Sequence, residues 1–86
     1  MRLIFSETAW NEYTEWLQND KKVVAKINAL IKDIKRNSYE GIGKPEPLKY
    51  DFAGYWSRRI THEHRLIYRV ENNELLIYAC KFHYSV

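Results

Sequence analysis

Glu46, Arg59, Arg65 and His83 are residue types that can together break an RNA phosphodiester without a metal. In that chemistry a base withdraws the proton of a 2′-hydroxyl, and the freed oxygen attacks the neighbouring phosphorus. Cations hold the extra charge of the phosphorane, and an acid protonates the departing 5′-oxygen. Glu46 can serve as the base. His83 belongs to the one side-chain type that ordinarily titrates near neutral pH, and can serve as the acid. Arg59 and Arg65 carry planar forks that match phosphate oxygens, and Lys49 adds a point charge on the same loop as Glu46. No cofactor and no metal is needed. Composition alone also fits a blander arrangement. Glu46 between Pro45 and Pro47 reads as a loop carboxylate. Arg58, Arg59, Arg65 and Arg69 read as a solvated sheet face, and His62 and His64 as turn residues.

The elements that must position these residues are legible from periodicity. Residues 2–5 read as an opening strand, and Ser6 fits a helix N-cap with Glu7 well placed for the helix dipole. Ala9, Trp10, Tyr13, Trp16 and Leu17 follow at helical spacing as one apolar face. Asn19-Asp20 breaks that pattern. A second helix buries Val23, Val24, Ile27, Leu30, Ile31 and Ile34, carries lysines elsewhere, and ends at Asn37-Ser38. The pair should form an αα-hairpin. Glycines and prolines between residues 37 and 54 exclude a regular helix there, while Leu48, Tyr50 and Phe52 argue for a structured loop. Residues 55–61, 65–70 and 75–84 are strand-like, with short connections.

Register decides which arginines share a face, because a one-residue slip moves every side chain to the other side. Pairing Ile60 with His64 puts Trp56, Arg58, Ile60, Leu66, Tyr68 and Val70 on a mostly apolar face. It leaves Tyr55, Ser57, Arg59, Arg65, Ile67 and Arg69 on a basic one. A slip by one buries more unpaired charge, which is costly. The last strand admits two pairings. A two-residue type I′ turn at Asn72-Asn73 pairs Glu71 with Glu74. The alternative pairs Val70 with Glu74 and puts His83 on the face of Arg59 and Arg65. Leu75–Phe82 is apolar on both faces, so periodicity does not choose between them.

At 86 residues the chain has room for one domain, residues 1–86. Its formal charge of +3 favours an anionic partner, weakly. The single Cys80 excludes an intrachain disulfide and fits a reducing cytosol. One Cys and three His lack any usual zinc spacing. The opening residues have no long apolar stretch, so they do not read as a secretory leader, and no segment approaches the length of a membrane span.

Read together, four segments strongly resemble the YoeB toxins of the RelE/ParE superfamily. They are Gly41-Ile-Gly-Lys-Pro-Glu-Pro-Leu-Lys49, Gly54-Tyr-Trp-Ser-Arg-Arg-Ile-Thr61, Glu63-His-Arg-Leu-Ile-Tyr68 and the pair His83-Tyr84. Arg2-Leu-Ile-Phe-Ser-Glu7 and Lys26-Ile-Asn-Ala-Leu-Ile-Lys-Asp33 are similar to the same family. The resemblance implies an α+β fold, two N-terminal helices packed on a twisted antiparallel sheet. It implies a ribosome-dependent endoribonuclease that cuts mRNA in the ribosomal A site, with Glu46 as general base and His83 as general acid. Arg65 would stabilise the phosphate, Arg59 and Lys49 would assist, and Tyr84 would position substrate. It further implies a YefM-like antitoxin with an acidic tail, a toxin homodimer, and repression of the operon by the toxin–antitoxin complex. Bringing His83 to Arg65 favours the Val70–Glu74 pairing. Ser85-Val86 extends past the usual His-Tyr end, which puts any role of a terminal carboxylate in doubt. A non-enzymatic gyrase inhibitor of the ParE branch, and an inert interaction module, are the competing readings. Neither needs a base and an acid.

Overall fold

The computed structural model describes residues 1–82. In chain order it contains β1 (Arg2–Phe5), α1 (Glu7–Asn19), α2 (Lys21–Arg36), β2 (Glu46–Pro47), a 3₁₀ turn at Tyr50–Phe52, β3 (Trp56–Arg59), β4 (Arg65–Glu71) and β5 (Glu74–Ala79). Ser6 caps α1 as expected: its hydroxyl accepts the Ala9 N–H at 3.0 Å. The same hydroxyl donates to the Tyr78 carbonyl at 2.7 Å, so the cap also fastens the helix to the last strand. Asp20 alone joins the two helices. Its N–H closes α1 on Trp16, and its carboxylate accepts the Lys22 and Val23 N–H groups to open α2. Such an N-cap is worth about 0.5–2 kcal/mol. Lys35 and Arg36 lie in the last turn of α2, where cations suit the helix dipole.

The five strands form one sheet in the order β1-β5-β4-β3-β2. The α+β class stands, but the sheet is mixed: β1 runs parallel to β5, with Leu3 beside Leu75 and Phe5 beside Ile77. The β3–β4 hairpin has the register that sequence favoured. Arg59 faces Arg65, Arg58 faces Leu66, and the Ile60 N–H donates to the His64 carbonyl at 2.9 Å. At the β4–β5 turn Asn72 (φ 53°) and Asn73 (φ 59°) both adopt the left-handed conformation that a type I′ turn needs, so Glu71 faces Glu74. The Val70–Glu74 pairing is therefore not the one formed; Val70 faces Leu75. The ladder then breaks register between Ile67 and Tyr68, beyond which Ile67 faces Ala79. That β-bulge inserts one residue and exchanges the faces of β5. Ala79 thus lies on the side of Ile67, the face that the other register would have given it without a bulge. The strand stops at Ala79, short of the expected Tyr84.

Helices cover one face of the sheet. Ala9, Val23, Ile27, Leu30, Ile31 and Ile34 pack against Ile60, Leu66, Tyr68, Leu75, Ile77 and Cys80. The apolar stripe of α1 is only partly used: Tyr13 and Trp16 are half-buried, while Trp10 and Leu17 remain 52% and 46% exposed. The other face is split. The 37–54 loop folds over one half of it, where Leu48, Ile67 and Ala79 form a second small core flanked by Phe52, Tyr55 and Tyr78. Within that loop Glu46–Pro47 forms a two-residue edge strand on β3, a position that tolerates a proline's missing donor.

Arg58 departs from the solvated arginine face. It is fully buried on the helix side. All five of its N–H groups are used: Nε on the Tyr68 hydroxyl, Nη1 on Asp33 Oδ2 at 2.5 Å and the Ile42 carbonyl, and Nη2 on the Asn37 and Glu40 carbonyls. Burial is the costly choice for a charge, so it persists only because every donor is matched. The bonds draw the 37–42 loop onto α2. Gly41 is needed at this closure: its φ of +128° suits glycine, and a Cβ there would collide with the Asp33 carboxylate. Gly41→Ala should destabilise the fold by roughly 1–3 kcal/mol, read from the midpoint of urea unfolding.

Candidate active site

Among the described residues, the half of the second face that the 37–54 loop leaves uncovered holds Glu46, Arg59 and Arg65. Side chains paired across strands share a face, and alternate residues along a strand do too. Glu46 faces Ser57 across β2–β3, Ser57 and Arg59 alternate along β3, and Arg59 faces Arg65 across β3–β4. Glu46, Arg59 and Arg65 therefore line one side of three adjacent strands. Glu46 and Arg59 are exposed and Arg65 is half-buried. The Arg59 N–H donates to the Gly43 carbonyl at 2.6 Å, which ties the chain just before Glu46 to β3.

Arg65 is held by one end of its guanidinium. Its Nη1 donates to the carbonyls of Thr61, His62 and His64 at 2.8, 3.0 and 3.1 Å, all within the β3–β4 turn. Its Nε and Nη2 take no partner among the described residues. Partial burial, and then the like charge of Arg59, push the Arg65 guanidinium below its ordinary value, with Glu46 opposing them. An arginine stays charged regardless. The causes are desolvation first and a neighbouring like charge second, and an anion set beside the guanidinium would offset both. Among the described residues none of Glu46, Arg59 and Arg65 makes a salt bridge.

Lys49 is exposed and sits at the start of the 3₁₀ turn, three residues beyond Glu46. Arg69, on the same face by register, is committed elsewhere: it pairs with Glu71 at 2.6 Å and lies over the Tyr55 ring. His83 and Tyr84 fall outside the described residues. The residue before them does not: the Phe82 carbonyl accepts the Arg65 backbone N–H at 2.8 Å. Cys80 is no nucleophile, since burial, assisted by Glu12, pushes its thiol up to about 12.

A family model for the YoeB-like toxin of bacterial type II toxin–antitoxin systems matches residues 5–84. The chain belongs to this family. Toxin YoeB of Escherichia coli K12 is 57% identical over 84 residues, 98% of this chain and all of the relative. The solved YoeB/ParE toxin from Agrobacterium tumefaciens superposes with a TM-score of 0.96 at 50% identity, over 98% of this chain and all of that one. YoeB from Staphylococcus aureus, in a heterotetrameric complex with YefM, gives 0.91 at 54% identity, over 98% of each chain. The same protein solved as a dimer gives 0.92 at 54% identity, again over 98% of each.

Sequence reasoning missed two residues around the site of this YoeB-like toxin. Arg58 was placed on the helix-facing side by register yet still read as solvated, and its partner Asp33 is a lone acid amid the apolar stripe of α2. His64 read as a turn residue, yet it is buried with its ring edge-on to Trp16 at 4.9 Å. The signal was present, because the register that pairs Ile60 with His64 points both at the helices.

Proposed function

We propose that this chain is a ribosome-dependent endoribonuclease that cuts mRNA in the ribosomal A site by acid–base chemistry without a metal. Glu46 takes the 2′-hydroxyl proton, Arg65 holds the charge of the phosphorane, and His83 protonates the leaving 5′-oxygen. Arg59 and Lys49 attract the RNA backbone, and Tyr84 positions the substrate. The observation that carries this reading is the trio of Glu46, Arg59 and Arg65 on one face of the sheet, none in a salt bridge among the described residues, with the Arg65 guanidinium held by three turn carbonyls through Nη1. A structural ion pair would have joined them. A site awaiting an anion leaves them apart, and preorganised charge of this kind is what stabilises such a transition state.

The reading extends to partners by kinship. A YefM-like antitoxin would bind and silence the toxin, as YefM binds the Staphylococcus aureus relative, and the complex would repress its own operon. A toxin dimer has its parallel in the same species. The chain would act in the cytoplasm as one domain spanning residues 1–86. No described helix is long and apolar enough to cross a membrane.

Mapping 5′ ends of mRNA in a translating extract tests the reading, with wild type and His83→Ala side by side. Codon-phased cuts from wild type alone support it. No cuts from either protein would sink it and lead to a gyrase supercoiling assay, since the Agrobacterium relative carries the ParE name as well.

A further inference from the structure

Residues 80–82 belong to no strand, yet they are fastened from two sides. From α1, Glu12 accepts the Cys80 N–H at 2.7 Å and Trp16 Nε1 donates to the Cys80 carbonyl at 2.9 Å. Lys81 pairs with Glu15 and lies over the Trp16 and Phe82 rings. From β4, the Arg65 N–H donates to the Phe82 carbonyl, and the Phe82 N–H donates to His64 Nδ1 at 2.7 Å. Phe82 itself adopts a left-handed conformation (φ 60°), unusual for a bulky residue. Strain of that kind persists only where the surroundings over-determine it, and it gathers at functional sites.

The His64 bond is the specific one. An amide can only donate, so Nδ1 is the unprotonated nitrogen. The proton then lies on Nε2, which faces Glu63 Oε1 at 3.3 Å. Trp16 closes against one side of the ring, and the side chain is 11% exposed. His64 thus holds the N–H of Phe82, the residue immediately before His83, and the Arg65 N–H holds the carbonyl of the same residue.

We infer that His64 is a positioning residue for the reaction: by holding the Phe82 peptide against β4, it sets where the chain delivers His83 relative to Arg65. The inference rests on the proposed acid role of His83. His64 touches no substrate and exchanges no proton. It acts through the backbone, and what it governs is turnover rather than substrate binding.

Two substitutions and one altered substrate test this on the full-length toxin with ribosome-bound mRNA. In His64→Asn the side-chain oxygen replaces Nδ1 as acceptor. In His64→Gln the amide reaches the Nε2 position and the Phe82 bond is lost. His64→Gln should lower kcat about tenfold at unchanged KM, the effect of one lost hydrogen bond, while His64→Asn stays within about twofold of wild type. Equal losses in both would reduce His64 to packing and overturn the inference. The altered substrate replaces the leaving 5′-oxygen with sulfur, which departs as thiolate and needs no acid. On it the deficits of His64→Gln and His83→Ala should both vanish. Rescue of His83→Ala alone would overturn the role of His64. Rescue of neither would remove the acid role of His83, and this inference with it. Should His64→Gln not fold, a ¹⁵N spectrum of wild type decides: a scalar coupling between the Phe82 amide and His64 Nδ1 supports the inference, and its absence overturns it.

Discussion

Glu46→Gln is expected to lower mRNA cleavage on ribosomes by roughly 10²–10⁴-fold, the usual worth of a general base, with no change in the melting temperature. The separation of the two effects follows from the fold. Glu46 is exposed at the sheet edge and forms no salt bridge among the described residues. Its backbone, which pairs with Ser57, is untouched by the exchange. Gln keeps the size and the polarity and removes only the capacity to take a proton. Single-turnover cleavage beside a thermal melt checks both halves. A variant that cuts at the wild-type rate would end the assignment of Glu46 as base. Arg65→Lys should not substitute for Arg65, because a point charge cannot both donate to the three turn carbonyls and offer a fork to phosphate.

Arg58→Ala should remove about 3–5 kcal/mol of stability, the range for breaking a buried charge network by deleting one partner. In a domain this small each kcal/mol shifts the melting temperature by about 4–8 °C, so the thermal transition should fall far enough to leave little folded protein at growth temperature. The carbonyls of Asn37, Glu40 and Ile42 lose the Arg58 donors, and the Asp33 carboxylate is left with the Ile42 N–H. The loop they hold leads directly to Glu46, so activity should fall with stability. A melt within a few degrees of wild type would show that the 37–42 loop does not depend on Arg58. The same network sets an acid limit. The Arg58 hydrogen bond, and then the Ile42 N–H, hold the Asp33 carboxyl below its ordinary value. A carboxyl depressed on folding stabilises the fold above its unfolded value, and that contribution is lost as pH falls through the folded one. Glu12 has the opposite sign, since burial raises it and its ionisation weighs against the fold as pH rises.

Much of this arrangement was legible because one force decided it. The α2 stripe and the β3–β4 register both follow from keeping apolar side chains in and charges out. The same register placed Arg59 opposite Arg65. It failed at Arg58 and His64, where polar groups are buried because partners distant in sequence satisfy them; no local pattern announces Asn37, Glu40 or Phe82 as acceptor or donor. β2 was read as loop since two residues beside two prolines carry no strand signal, and only the neighbouring β3 gives them one. The register of β5 was open because Leu75–Phe82 is apolar on both faces. The bulge explains that ambiguity: Leu75 and Ile77 serve the helix-side core, whereas Tyr78 and Ala79 serve the second one. The parallel β1–β5 pairing was invisible for a similar reason, as four residues do not name their partner.

That pairing has a consequence for biosynthesis. β1 is made well before β5 and lies against it, with Arg2 beside Glu74. Contacts so distant along the chain form late, after their loop-closure entropy has been met. Until β5 has left the exit tunnel, β1 has no neighbour and the Ser6 cap of α1 has no Tyr78 carbonyl to grip. A nascent copy therefore lacks the β1–β5 seam and the strand-side hold on α1 until β5 emerges, and closing the sheet across that seam is a late step of its folding.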